Sequence, residues 1–199
     1  MARPRASDFE VKRRAILDNA SEVFAELGME KASMALVAKR SKASKSLLYH
    51  YYPNKSELIL DIIRSHLEEL DAALEAAVQP DMAPRARLNA MVAAVLEVYR
   101  GADNHHKVQL NCASSLDDEQ KRVVRAIERR VINRFCNVLE TINPDLIRNR
   151  RSLLMPLTMS LFGMLNWVYL WFRDDGPLTR AEYAEIATKL MLSGIDGLA

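Results

Sequence analysis

Apolar residues recur along this chain at spacings of three and four, the period of helices packed on one face. Ile16, Ala20, Val23, Phe24 and Leu27 make one stripe, closed by Gly28, and Ser7 with Glu10 ahead of it has the S-x-x-E spacing of a capping box. Asn54 before Lys55-Ser56-Glu57 is another cap, and Leu58, Ile62, Ile63, Leu67, Leu70 and Leu74 then follow one face to a break at Gln79-Pro80. Pro84 opens the stripe Leu88, Met91, Val92, Val95, Leu96 and Tyr99, which ends at Gly101. A short helix is expected over 104–115, and Asp117 caps the stripe Val124, Ile127, Val131, Phe135, Val138 and Ile142. An apolar helix from about 149 to 173 follows, then the turn Asp175-Gly176-Pro177, and Thr179 with Glu182 caps a last helix to about Ile195. No useful run alternates with period two. The pattern predicts an all-α fold of about nine helices.

Between Leu27 and Asn54 the texture changes. Ser33 can cap a helix carrying Leu36, Val37 and Ala38, Ser41-Lys42-Ala43 has room only for a turn, and Ser44 can cap a second helix through about Tyr49. Helices this short are marginal alone and must be held by neighbours. Short helix, tight turn and a second helix rich in Lys, Ser, Tyr and His read as a helix-turn-helix. With Leu48 and Tyr51 packed inward, Lys45, Ser46, Leu47, Tyr49 and His50 are left facing out. That set suits a major groove, where Lys reaches guanine acceptors, Ser either base or phosphate, and an apolar side chain a thymine methyl. Lys55, opening the next helix, can hold a phosphate, and Arg3, Arg5, Lys12, Arg13 and Arg14 can add contacts from the N-terminal arm and first helix. On pattern alone a solvated helical hairpin with an aromatic core remains open.

Composition narrows the classes. Of 199 residues 49% are apolar and 27% charged, enough for a sizeable core. Six Gly and seven Pro are too few for a turn-rich β fold, and no Gly-rich phosphate loop occurs. Cys112 and Cys136 stand far apart, which excludes a zinc finger or disulfide scaffold and fits a cytoplasmic protein. No nucleophile–base spacing or metal set supports an enzyme, and the adjacent His105 and His106 diverge on a helix, suggesting solvated or capping roles. Residues 1–55 carry a net charge of +5 and residues 56–199 a net of −3, giving the overall +2. A basic quarter on an acidic body suggests an anionic polymer as partner for that quarter.

From Leu153 to Phe172 the chain is uncharged, long enough to span a bilayer. Pro156, Thr158, Ser160, Gly163 and Asn166 interrupt it, and acids crowd one end, so burial in a core or subunit interface is expected rather than a membrane. Trp167 and Trp171, four apart, share a face and can wall a pocket or fill an interface. The cations Lys121, Arg122, Arg125, Arg129, Arg130 and Arg134 read as the wet face of a long helix.

Residues 10–58 resemble the N-terminal DNA-binding domain of the TetR family of bacterial transcriptional repressors. Ser33, Val37-Ala38, Ser44, Leu48, Tyr49, Tyr51, Tyr52, Lys55 and Leu58 occupy the matching positions of SMALVAKRSKASKSLLYHYYPNKSEL, residues 33–58. Two residues depart from the pattern: Lys42 stands at the usual turn Gly, and Ser46 at the usual small residue early in the second helix. The resemblance implies a DNA-binding domain over 1–55, with Ser33, Ser44, Lys45, Ser46, Leu47, Tyr49, His50 and Lys55 at the DNA. It further implies a ligand-binding and dimerisation domain over 56–199, the helix 54–78 connecting the two. The partners implied are double-stranded operator DNA, a small-molecule effector and a second copy, paired through helices near 149–173 and 179–197. Residues 162–187 are similar to members of that family that sense acyl-CoA thioesters, so no resident cofactor but an acyl-CoA-like effector is expected. Its candidate pocket residues are Tyr99, Asn166, Trp167 and Trp171, with some of the arginines of 121–134 meeting its phosphates.

Overall fold

The computed structural model describes residues 3–148 and 151–198, and side chains from Phe9 onward except those of 148–151. Its elements are α1 (Arg3–Lys31), α2 (Met34–Arg40), α3 (Lys45–Tyr51), α4 (Lys55–Ala77), α5 (Pro84–Val98) and α6 (Asp103–Cys112). They continue with α7 (Asp118–Ile142), α8 (Leu154–Asn166), α9 (Val168–Trp171) and α10 (Arg180–Asp196). Two-residue strands, β1 (Ile147–Arg148) and β2 (Arg151–Ser152), pair antiparallel between α7 and α8. The fold is all-α apart from that hairpin, and α8 and α9 are one apolar segment broken at Trp167.

The helix termini follow the capping residues. The side chains of Asn54 and Asp117 accept the N–H of Glu57 at 2.9 Å and of Gln120 at 2.8 Å. Thr179 and Glu182 form a reciprocal capping box. Gly28 (φ 71) breaks the end of α1 and Gly101 (φ 70) follows α5, both left-handed positions that favour glycine. At the front of α1 the expectation fails: the helix is already formed at Arg3, ahead of Ser7, whose side chain lies outside the described residues. The apolar helix expected from about 149 instead begins at Leu154. Leu154–Trp171 is long and apolar enough by length and composition to cross a membrane, a third of it is buried in this structure, and it is interrupted at Trp167.

The chain packs as two compact units: one holds residues 1–67 and 101–125, the other 68–100 and 126–199. This division departs from a boundary at 55. The start of α4, α6 and the start of α7 belong with the helix-turn-helix, because α6 packs along α1. In this first unit Ile16, Leu17, Ala20, Val23 and Phe24 of α1 are buried, as are Val37, Ala38, Leu48, Leu58, Ile62 and Ile63. Leu27, the last position of the α1 stripe, is exposed.

The second unit encloses the stripes of α5 and α8 and Val131, Phe135 and Val138 of α7 with Ala184, Ala187, Met191 and Ile195 of α10. Arg180 is buried there: it donates to Leu96 O at 2.9 Å, pairs with Asp174 at 2.7 Å and lies over the Phe172 ring. A buried guanidinium is tolerated because each of these groups satisfies it.

Candidate nucleic-acid interface

The two caps of the helix-turn-helix are both made. Ser33 accepts the N–H of Leu36 at 3.2 Å, and Ser44 accepts that of Leu47 at 3.1 Å. The turn closes by Ala43 N–H donating to Ala38 O at 3.0 Å. Its central residue Lys42 takes φ 52, the left-handed conformation that a glycine adopts without strain.

Only Leu48 of α3 is buried. Lys45, Ser46, Leu47, Tyr49 and His50 are all exposed, together with Ser33 and Ser44 at the two caps and Lys39 and Lys42 beside them. This places one neutral hydrogen-bonding face and three lysines around a single short helix. Lys39 stands at the end of α2 and Lys42 in the turn, so both add positive charge beside this face.

Several expected contacts are engaged elsewhere. The inward aromatic beside Leu48 is chiefly Tyr52, which is buried, whereas Tyr51 is half-buried and stacks on Phe9 with ring centroids 4.8 Å apart. Arg13 is turned from solvent into an ion pair with Asp61 at 2.7 Å, and Arg14 pairs with Asp18 at 3.5 Å. Lys55 donates from Nζ to Met29 O at 2.5 Å and Ala32 O at 3.0 Å, so two of its three donors close the end of α1. Lys12 remains exposed, and the side chains of Arg3 and Arg5 lie outside the described residues.

His105 and His106 are not solvated. His106 is buried and His105 nearly so, both rings facing the buried His66 of α4 at centroid separations of 5.9 and 6.3 Å for His106 and His105. Among the described residues no three His, Cys, Asp or Glu side chains converge as metal ligands.

The candidate pocket residues separate in the second unit. Tyr99 is buried and its hydroxyl donates to Asn166 Oδ1 at 3.0 Å; burial pushes the phenol pKa up, so it stays a donor. Trp167 and Trp171 instead lie half out in solvent, at 55% and 52% exposure, and neither is enclosed. The exposed side chains Met155 and Met159 of α8, Leu170 of α9, and Ile186 and Leu190 of α10 extend an apolar surface in the same unit. Leu161 and Leu165, inside the segment 149–173 expected to pair with a second copy, are wholly buried in the unit's own core. Of the cations on α7, Arg130 and Arg134 pair with Asp71 at 3.0 and 2.6 Å, and Arg122 pairs with Glu119 at 2.7 Å. Arg125 and Arg129 are exposed.

The chain is matched by two family descriptions: bacterial regulatory proteins of the tetR family over residues 16–62, and the tetracyclin repressor-like C-terminal domain over 81–195. A TetR-family transcriptional regulator from Bordetella parapertussis 12822 is 30% identical in solved structure, covering 94% of this chain and 97% of that one with a TM-score of 0.84. The HTH-type transcriptional repressor KstR2 of Mycobacterium tuberculosis is 25% identical over 198 residues, 96% of each chain. AibR, solved in complex with isovaleryl coenzyme A and operator DNA, is 25% identical over 90% of this chain and 97% of that one, with a TM-score of 0.76. A helix-turn-helix near the N-terminus with a serine cap on each helix, an all-helical body and these matches across both halves agree: the chain belongs to the TetR family, whose members are DNA-binding transcriptional regulators.

Proposed function

We propose that this protein is a dimeric repressor in which α3 reads operator bases and an amphipathic effector bound in the second unit releases the DNA. The observation that carries the reading is the one-sidedness of α3: Leu48 alone is buried while Lys45, Ser46, Leu47, Tyr49 and His50 stand in solvent. An ordinary helical hairpin of this size needs a wider buried face to hold itself. Ser33, Ser44 and Lys55 frame this helix, with Lys39 and Lys42 supplying further phosphate contacts.

Dimerisation is assigned to the apolar surface of α8, α9 and α10. Met155, Met159, Trp167, Leu170, Trp171, Ile186 and Leu190 are large apolar side chains left exposed on these three helices, and exposed apolar surface of this kind marks association. Gly163 and Gly194 have open space beside their Cα atoms, which favours close helix approach. A two-fold pair sets two reading helices about 34–36 Å apart, one helical turn of DNA.

The effector is assigned to the acyl-CoA class or a related hydrophobic acid. Its support is the relative AibR, solved with isovaleryl coenzyme A, and the Tyr99–Asn166 hydrogen bond set among apolar side chains of the second unit. A few polar groups in an apolar wall are how such pockets discriminate. The tryptophans belong to the dimer surface in this reading, and Arg129 is an exposed α7 cation of the same unit that suits a phosphorylated head.

Selection of a duplex from a random pool, followed by fluorescence anisotropy with acyl-CoAs of several chain lengths, tests the proposal. Enrichment of a two-fold sequence and its release by one chain-length class are expected. A pool that does not enrich refutes base reading by α3; an enriched duplex that no thioester releases refutes the effector class.

A further inference from the structure

Inside the helix-turn-helix unit sits a carboxylate that base reading does not require. Asp61 of α4 is 7% exposed. Its Oδ2 accepts the Tyr52 hydroxyl at 2.6 Å and Arg13 Nε at 2.9 Å, and its Oδ1 accepts an Arg13 Nη at 2.7 Å and an Arg64 Nη at 2.9 Å. Arg13 also donates to Ser65 Oγ at 3.0 Å and to Glu10 at 3.2 Å. Three elements therefore meet at one side chain: α1 through Arg13, the C-cap of α3 through Tyr52, and α4 through Asp61 itself.

The charge is held in place. Burial alone would raise the Asp61 pKa, but hydrogen bonds from Arg13, Tyr52 and Arg64 outweigh it and keep the carboxyl below its ordinary value. Burial and the adjoining carboxylate raise the Tyr52 phenol, so that hydroxyl remains a donor.

At this end of α3 the buried Tyr52 ring packs inward, and its hydroxyl makes the polar tie to α4. The other end is set by the turn and the Ser44 cap. At the C-terminal end Tyr51 stacks on half-exposed Phe9, and the Tyr52 N–H donates to Leu48 O at 2.9 Å. Within α3 Leu48 is the buried residue, so the orientation of this seven-residue helix depends on how Tyr52, at its C-cap, is held.

We propose that Asp61, acting through the Tyr52 hydroxyl, is a positioning residue for sequence-specific recognition, fixing the pitch of α3 against α1 and α4. The proposal rests on the reading of α3 as the base-reading helix. Base-edge hydrogen bonds tolerate errors of a few tenths of an ångström, whereas flexible lysine stems follow a displaced phosphate. Loss of the tie therefore lowers the preference for cognate over scrambled DNA more than it lowers DNA binding as such.

The test uses the full chain, a duplex selected from a random pool and a scrambled duplex of equal length. Tyr52→Phe keeps the buried ring and removes only the tie. It should weaken the selected duplex several-fold, up to about tenfold because one charge-assisted hydrogen bond sets the upper limit, and leave the scrambled duplex unchanged. Asp61→Asn should weaken it likewise, and the double variant should lose no more than Asp61→Asn alone. If Asp61→Asn fails to fold by circular dichroism, Tyr52→Phe decides by itself. An unchanged selected-to-scrambled ratio, or an equal loss on both duplexes, overturns the positioning role. Lys45→Ala with Tyr49→Ala serves as the control: a ratio unmoved by that pair overturns base reading by α3 and the proposal with it.

Discussion

Acid should loosen the helix-turn-helix unit through His66. This imidazole is 3% exposed and faces His105 and His106 across α4 and α6. Burial, then the nearby His106, His105 and Arg14, push its pKa from 6.5 down to about 3. His105 in turn lies 3.4 Å from Ser21 Oγ and 3.3 Å from Asp18, which also meets Arg14. The folded pKa lies below the unfolded one, so the unfolded chain takes the proton first. The stability contributed by neutral His66 is whole above pH 6.5 and is lost as the pH falls toward 3, at about 1.4 kcal/mol per unit. At pH 5 the loss is about 2 kcal/mol. Depressed carboxylates such as Asp61 and Asp71 stay ionised at pH 5, so they do not mask the contribution of His66 in this window.

The assay compares wild type with His66→Gln at pH 7.5 and 5.0 and matched ionic strength. Both tryptophans lie in the other unit, so amide exchange of α6 is the appropriate probe rather than fluorescence. Wild type should lose about 2 kcal/mol more opening free energy than the variant between the two pH values. Equal losses would refute the argument, showing that His66 is hydrated or charged in the folded unit.

Lys42→Gly should raise the unfolding midpoint by an amount worth about 1 kcal/mol, because it relieves a left-handed non-glycine residue at φ 52; an unchanged midpoint would mean that the turn carries no strain. Met159→Glu combined with Leu190→Glu should give a folded monomer in sedimentation, since both side chains are exposed on the apolar surface. Leu161→Glu should instead unfold the second unit, at a cost of several kcal/mol, because that position is wholly buried. Lys45→Ala should cost about 1–3 kcal/mol on the selected duplex and relax one position per half-site. Lys55→Ala should lower the melting temperature by removing two hydrogen bonds to the end of α1. It should make the log K against log[salt] slope shallower by about 1 if its third donor holds a phosphate.

Much of this protein is written locally. The stripes along α4, α5 and α7 name their buried residues because a helix of period 3.6 can bury only one face, and Asn54, Asp117 and Thr179 mark helix starts because free N–H groups need an acceptor within a turn. The outward set on α3 was legible for the same reason, once Leu48 was placed inside. Where the local signal was even-handed, tertiary packing decided. The segment 153–172 is apolar all round, so nothing in it distinguishes Leu161, in the core, from Met159, in solvent, or shows that the helix breaks at Trp167. Charges behaved similarly. Arg13 looked available to DNA, but its partner Asp61 lies 48 residues away, and the ammonium of Lys55 meets carbonyls 23 and 26 residues before it. Charge and hydrogen-bonding capacity are properties of single residues, visible in any sequence, whereas which acceptor satisfies them depends on elements distant in the chain. His66 came to face His105 and His106 for that reason alone: burial against α6, not anything in its neighbouring residues, makes its protonation costly.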